Sequence, residues 1–309
     1  MPIHVKDPGF LSTLQDLGRY RYVHLGISPN GAADRLAFRI ANLLAGNEEN
    51  AAALEMTLMG ATLEFEEPAI VALVGGGVEG TLGNSSLPAG EVVEVPAGST
   101  LECGMMKSGI RSYLAVQGGF DVRPVMGSAS TNLGGQFGGI DGRKLKKGDV
   151  LRVRAHDGLR ARRLRPGALD RFVADGPIRV TEGSQHDWFG PQAVATFTSC
   201  SYQVLDQSNR NGLRLRAEAI RPLKQSQLLT DGIPLGGVQV PEDGQPIVLL
   251  ADQQTTGGYP KIATVISADM SRVGQLGPGD QVQFAVISMA EALQLLREQE
   301  QRLQEIFLK

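Results

Sequence analysis

From Leu54 to Val153 the chain alternates short apolar and polar runs broken by Gly and Pro. This pattern predicts strands over 53–57, 61–66, 69–74, 91–95, 100–104, 110–117 and 149–154. Residues 2–6 read as an earlier strand turned by Asp7-Pro8-Gly9. One stretch before them has a helical period instead. Ala33, Leu36, Ala37, Ile40 and Leu44 fall on one face, so an amphipathic helix is expected over 33–45, stopped by Gly46-Asn47. Later, 177–181, 262–267 and 281–287 read as strands, and 184–198 as a helical turn followed by a helix. Ser288 and Glu291 form a capping box for a last helix, 289–306.

The two halves echo each other. Gly118-Gly119-Phe120 ends one strand and Gly257-Gly258-Tyr259 ends another, with Ser128 and Ser267 following at equal spacing. Lys147-Gly148-Asp149 and Pro278-Gly279-Asp280 each feed an alternating final strand. Two related β-rich domains are therefore expected, 1–165 with the helix 33–45 and 166–309 with the helix 289–306. The basic run Arg154, Arg160, Arg162, Arg163 and Arg165 before Pro166-Gly167 reads as a solvated connector.

Composition narrows the functional classes. Hydrophobic residues make up 42% and charged residues 20%, with a net charge of -3, which speaks against nucleic-acid or membrane partners. No apolar leader follows Met1, and Cys103 and Cys200 stand far apart, so a cytoplasmic location is expected. His4, His24, His156 and His186 have no metal-ligand spacing, so no metal site is expected. The run Gly75-Gly76-Gly77 lacks the Lys-Ser/Thr ending of a phosphate loop and reads as a hairpin corner.

What remains is a set of polar corners. Gln15, Asp16 and Arg19 could grip a polar ligand or form a structural ion pair. Asp34 suits the first turn of a helix as well as a site. Asn209-Arg210 is either an anion contact or a charged hairpin. The run Asp252-Gln253-Gln254-Thr255-Thr256-Gly257-Gly258-Tyr259-Pro260 follows the apolar strand Ile247-Val248-Leu249-Leu250. Its glycines belong to the echo, whereas its polar prefix has no counterpart in the first half and reads as a pocket wall. Carboxylates, amides and an arginine suit a small amide or carboxylate substrate, with amide N–H groups holding a developing oxyanion.

Gln15-Asp16-x-Gly18-Arg19, Gly31-Ala32-x-Asp34, Ala41-Asn42-x-Leu44-x-Gly46-Asn47, Tyr113-Leu114-Ala115-Val116-x-Gly118-Gly119 and Asp252-x-Gln254-Thr255-Thr256-Gly257-Gly258-Tyr259-Pro260 together resemble the biotin-dependent carboxyltransferase and allophanate-hydrolase-subunit-2 family. Its stand-alone bacterial members resemble the C-type subunit of 5-oxoprolinase. The resemblance implies a mainly β fold of two cyclophilin-like β-barrel domains with a few peripheral helices. It implies a tight complex with a B-type subunit and work with an A-type subunit, opening 5-oxo-L-proline to L-glutamate with ATP cleavage. ATP would bind in the complex or at an interface, and no biotin would be attached to this chain. Two alternatives stand beside this: a regulator that binds a B-type partner and controls a histidine kinase, and a carboxyltransferase served by a biotin carrier in trans. The expected catalytic residues are Asp252, Tyr259 and Asp16. The expected substrate contacts are Gln15, Arg19, Asp34, Asn42, Asn209, Arg210, Gln239, Gln254, Thr255 and Thr256. The chain departs from the family pattern at Ala129, where a basic residue is usual, at Asn211 and at Gly237.

Overall fold

Arg111–Val116 is buried at every position and runs through the middle of a five-stranded antiparallel sheet. The order across that sheet is Leu11–Gln15, Ala53–Thr57, Arg111–Val116, Ala69–Val74, Val92–Val95. Successive side chains of a strand point to opposite faces, and here each face has its own core. Leu54, Met56, Leu114 and Val116 join Ile3, Val5, Leu63, Phe65 and Leu101, which come from a second sheet of six strands. The intervening Ala53, Tyr113 and Ala115 turn to helix α1 (Arg35–Leu44), meeting Leu36, Phe38, Ile40 and Leu44. The alanines let the helix come close, and Phe38 meets Tyr113 edge to face with ring centroids 5.8 Å apart.

The computed structural model describes residues 1–156, 158–172, 175–223 and 228–308. The chain forms two compact units, one of Met1–Arg19, Asn30–Phe172 and the chain from Arg302 on, the other of Tyr20–Pro29 and Val173–Gln301. The second unit holds an eight-stranded sheet. Gln281–Val282 and Phe284–Val286 lie at its opposite ends, yet only Gln283 separates them in sequence. The sheet is thereby curled into a nearly closed barrel. Its core stacks Phe197, from helix α2 (Pro191–Ser199), on Phe284 at 4.7 Å with Tyr202 alongside. Burying each such ring contributes about 1.5–3 kcal/mol. A short helix α3 (Met270–Gln275) follows, and α4 (Met289–Glu305) starts on the expected box, Ser288 N donating to Glu291 Oε2 at 2.9 Å. The fold is mainly β with few helices, as expected.

The echo between the halves is conformational in one place and not in the other. Gly148 and Gly279 have φ of 90° and 91°, and Asp149 and Asp280 each accept from the backbone N–H three residues before them at 2.8 Å. Gly118 and Gly119 lie in the left-handed region, but Gly257 and Gly258 do not. Phe120 is buried where Tyr259 is exposed.

One local reading is corrected. Leu11–Gln15 is a buried strand rather than a corner, its alternation hidden because Ser12, Thr13 and Gln15 are buried polar residues. The basic connector has Arg154, Arg160, Arg163 and Arg165 exposed, as expected, with Arg162 half-buried and the backbone paired to the end of the chain. Arg165 N donates to Ile306 O and Leu308 N to Arg163 O, both at 2.8 Å, while the Arg162 guanidinium lies 3.9 Å from the Phe307 ring centroid.

Candidate functional site

In the first unit, Asp16 is a buried junction. Oδ1 accepts from Ser128 Oγ and Ser130 Oγ at 2.6 Å and from Gly18 N at 2.8 Å, and Oδ2 from Ala129 N at 2.7 Å. These donors knit 16–18 to 128–130. The Arg19 guanidinium donates to Asn30 Oδ1 and to Ser130 O, and stacks 4.9 Å from the Phe137 ring centroid. Asp16 and Arg19 thus meet through Ser130. Asn30 and Gly31 both have positive φ, and a Cβ on Gly31 would lie 2.9 Å from Leu17 C, so the turn needs its glycine. Gln15 is fully buried, with Nε2 on Thr13 Oγ1 at 3.0 Å and Oε1 without a partner among the described residues.

Asp34 is the N-cap of α1, accepting from Ala37 N at 2.9 Å. Its own N–H donates to Tyr113 Oη, which donates to Glu55 Oε2 at 2.8 Å. Burial pushes the Tyr113 phenol far up, and the Glu55 carboxylate adds to this. Asn42, fully buried on α1, donates to Ala51 O at 2.9 Å and accepts from Asn47 Nδ2 at 3.1 Å. Both side chains are bound into the loops around the helix.

In the second unit, Arg210 and Asp252 form a buried bidentate pair, Nε to Oδ2 at 2.9 Å and Nη2 to Oδ1 at 3.0 Å. This neutralises the arginine expected to clamp a substrate carboxylate and the carboxylate expected to act as base. Asn209 is exposed and caps its own turn, accepting from Asn211 N at 2.8 Å. Beyond Asp252 the stretch divides. Gln253 and Thr255 are buried, while Gln254, Thr256 and Tyr259 are exposed. Thr256–Gly257 pairs with Asp231–Gly232 in a two-stranded ribbon, Asp231 opposite Gly257.

Behind the ribbon lies a group the sequence reading did not single out. Lys261 is fully buried, and its Nζ reaches Asp231 Oδ2 at 2.9 Å. Gln185 Nε2 donates to the same oxygen at 3.2 Å. The hydrogen bond from Lys261 holds the Asp231 carboxyl below the usual carboxylate range. Gln239 stands opposite Lys261 in the neighbouring strand. Its Nε2 is buried without a partner among the described residues. The signal for Lys261 was its place directly after the Asp252–Pro260 stretch, but a lysine at a strand start reads as solvated from sequence.

A model of the carboxyltransferase domain, subdomain A and B, matches residues 25–286. The chain belongs to the carboxyltransferase domain family. The C-type subunit of 5-oxoprolinase from Escherichia coli is 40% identical over 300 residues, covering 96% of this chain and 95% of that protein. Its counterpart in Haemophilus influenzae, the 5-oxoprolinase C-type subunit, is 37% identical over 98% of this chain and 97% of that one. The crystal structure of Kluyveromyces lactis urea amidolyase matches 98% of this chain with a TM-score of 0.92 at 31% identity, although the match spans only 20% of that larger chain.

Within this carboxyltransferase-family chain, a pocket of about 500 Å³ in the first unit is lined by Asp16, Asn47, Asn50, Arg154 and His156 among others. A larger one, about 630 Å³, lies beside Arg162–Asp170 and contains none of the expected site residues. Ala129, at a departure from the family pattern, donates its backbone N–H to Asp16. Among the described residues no group of three His, Cys, Asp or Glu side chains is placed to hold a metal. No described helix is long and apolar enough to cross a membrane.

Proposed function

We propose that this chain is the C-type subunit of an ATP-dependent 5-oxoprolinase, acting with a B-type and an A-type subunit on 5-oxo-L-proline. The observation that carries this reading is the 40% identity to a 5-oxoprolinase subunit along nearly all of both chains, against a match to one fifth of urea amidolyase. A lactam is a poor electrophile. Phosphorylation of its carbonyl oxygen by ATP, releasing ADP, would make attack by water feasible; the ring nitrogen would leave as the amine, and a second water would release phosphate and L-glutamate. The amide-rich ribbon around Gln239, Gln254 and Thr256 suits a polar, uncharged ring. ATP is assigned to the complex and not to the Gly75–Gly77 turn, because that turn runs on to the strand Gly80–Leu82 and not into a helix. The test is phosphate release dependent on 5-oxo-L-proline when the three folded subunits are mixed. Absence of that release would sink the reading.

The likeness to urea amidolyase favours one second reading, a carboxyltransferase served by a biotin carrier in trans. Inhibition of turnover by avidin would select it over the first.

A further inference from the structure

Lys261 carries an ammonium with three N–H donors, yet its side chain is fully buried and one carboxylate oxygen, Asp231 Oδ2, is its acceptor among the described residues. Taking a charge out of water with unmet donors is costly, so a further acceptor, a water or a ligand oxygen, is expected at Lys261 Nζ. A second unmet donor stands next to it. Gln239 is paired with Lys261 across antiparallel strands, just past a shift in register after Val238. Gln239 Nε2 is buried without a partner among the described residues. The two side chains run toward residues that face each other across the ribbon. Lys261 reaches Asp231, Asp231 is opposite Gly257, and Gln239 Nε2 lies 3.1 Å from where a Cβ on Gly257 would be. Gln254 Nε2 lies 2.7 Å from that same point. The absent side chain at Gly257 therefore leaves room between amide donors, and Asp231, 43% exposed, places the cluster at the surface.

We propose that Lys261 Nζ and Gln239 Nε2 are the paired donors of a binding site for the carbonyl oxygen of a small amide or lactam, with Asp231 as the charge partner of the ammonium. Charge selects a carbonyl over an anion. Asp231 already balances Lys261, so a neutral oxygen completes the donors without bringing a second carboxylate beside the first. An amide N–H and an ammonium are also the donors that bind more strongly as negative charge develops on that oxygen. Gln253, beside the ribbon, donates its Nε2 to Ile233 O at 3.0 Å and has a buried Oε1 without a partner among the described residues. The site deepens the 5-oxoprolinase reading and rests on it for the choice of a lactam as first ligand.

The test measures binding to the full chain purified with its B-type partner, by calorimetry or saturation-transfer NMR. The probes are 5-oxo-L-proline, 2-pyrrolidinone, which keeps the lactam without the carboxylate, and L-proline, which lacks the lactam carbonyl. Both lactams should bind and L-proline should not. Gln239→Met and Lys261→Met should each weaken lactam binding about tenfold or more. Gln239→Met changes no charge and keeps the volume, so it serves if Lys261→Met fails to fold. Equal 5-oxo-L-proline affinity in wild type and a folded Gln239→Met chain overturns the donor pair and leaves the 5-oxoprolinase reading standing. Binding of 2-pyrrolidinone that depends on Gln239, with none of 5-oxo-L-proline, supports the pair and removes that reading. Failure of both lactams to bind the wild-type complex, or equally tight binding of L-proline, overturns the proposal.

Discussion

Arg210 and Asp252 hold each other guanidinium to carboxylate along two parallel hydrogen bonds of 2.9 and 3.0 Å, with both side chains more than nine-tenths buried. Arg210 O also accepts from Asp252 N at 2.9 Å, so the pair fastens the start of the 252–260 stretch to the 209–211 turn. Removing one member leaves the other charge buried. Arg210→Met or Asp252→Ala should each cost about 3 kcal/mol or more in stability, read from urea unfolding. The double variant Arg210→Met/Asp252→Leu should lose less than the sum of the singles. Additive losses would show that the two side chains do not depend on each other.

Asp16 has four donors on its two oxygens, two of them serine hydroxyls. Asp16→Ala should lower stability by about 3 kcal/mol, since bonds to a charged acceptor contribute about 1.5–3 kcal/mol each and its donors could in part rebond to water. If activity vanishes while the urea midpoint stays, Asp16 acts on substrate and the junction is incidental.

Thiol chemistry should separate the two cysteines. Burial pushes the Cys103 thiol up to about 12, so almost no thiolate forms at pH 8. Cys200 is half-buried. A disulfide reagent at pH 8 should titrate one fast thiol in the native protein and two after denaturation. Two fast thiols would mean that the sheet around Cys103 opens readily.

Acid should weaken the first unit in a defined window. Asp149 accepts from Arg143 Nη1 at 2.7 Å and Nη2 at 2.9 Å, which lowers its carboxyl below the usual 3.8. A folded value below the unfolded one gives stability that is complete above the unfolded value and is lost as pH falls through the folded one. The stability gap between wild type and Asp149→Asn should be constant above about pH 5 and shrink below about 3.8. A gap that widens on acidification would contradict the pairing.

Gly257→Ala tests the ribbon from its empty side. Its new methyl would meet only side-chain ends, Gln254 Nε2 at 2.7 Å, Ile233 Cδ1 at 2.8 Å and Gln239 Nε2 at 3.1 Å. Those atoms can shift, so stability should change by no more than about 1 kcal/mol, as for most substitutions. Turnover of the assembled complex should fall about tenfold or more, because the methyl takes up the space between the amides. Full turnover would place the reacting molecule elsewhere.

Period and punctuation made most of the fold legible. Strands such as 53–57 and 69–74 and helix α1 lie where alternation and helical spacing put them. The strand Leu11–Gln15 was hidden because it buries polar side chains, bonded locally as Ser12 is to Pro8 O and across the chain as Gln15 is to Thr131 O. The Gly-Asp echo is a repeated turn because its geometry is local, an aspartate accepting from its own turn. The Gly-Gly-aromatic echo is one of letters only, since backbone angles there answer to neighbours from other strands. Residue type placed the polar corners, but whether each charge is spent on the fold depends on partners far along the chain. Lys261 shows the reverse case, a charge that looks ordinary in sequence and is buried in space.

The two units are interleaved along the polypeptide: residues 20–29 belong with the second and those from 302 onward with the first. The Leu164 bridge to Phe307 therefore cannot form until the second unit has been synthesised. During translation, a long first stretch must wait on the ribosome with the Ala53, Tyr113 and Ala115 face only partly covered, because Leu303, Ile306 and Phe307 arrive last. Such an exposed apolar face invites chaperones and premature association. A cut between 165 and 166 would make that wait permanent.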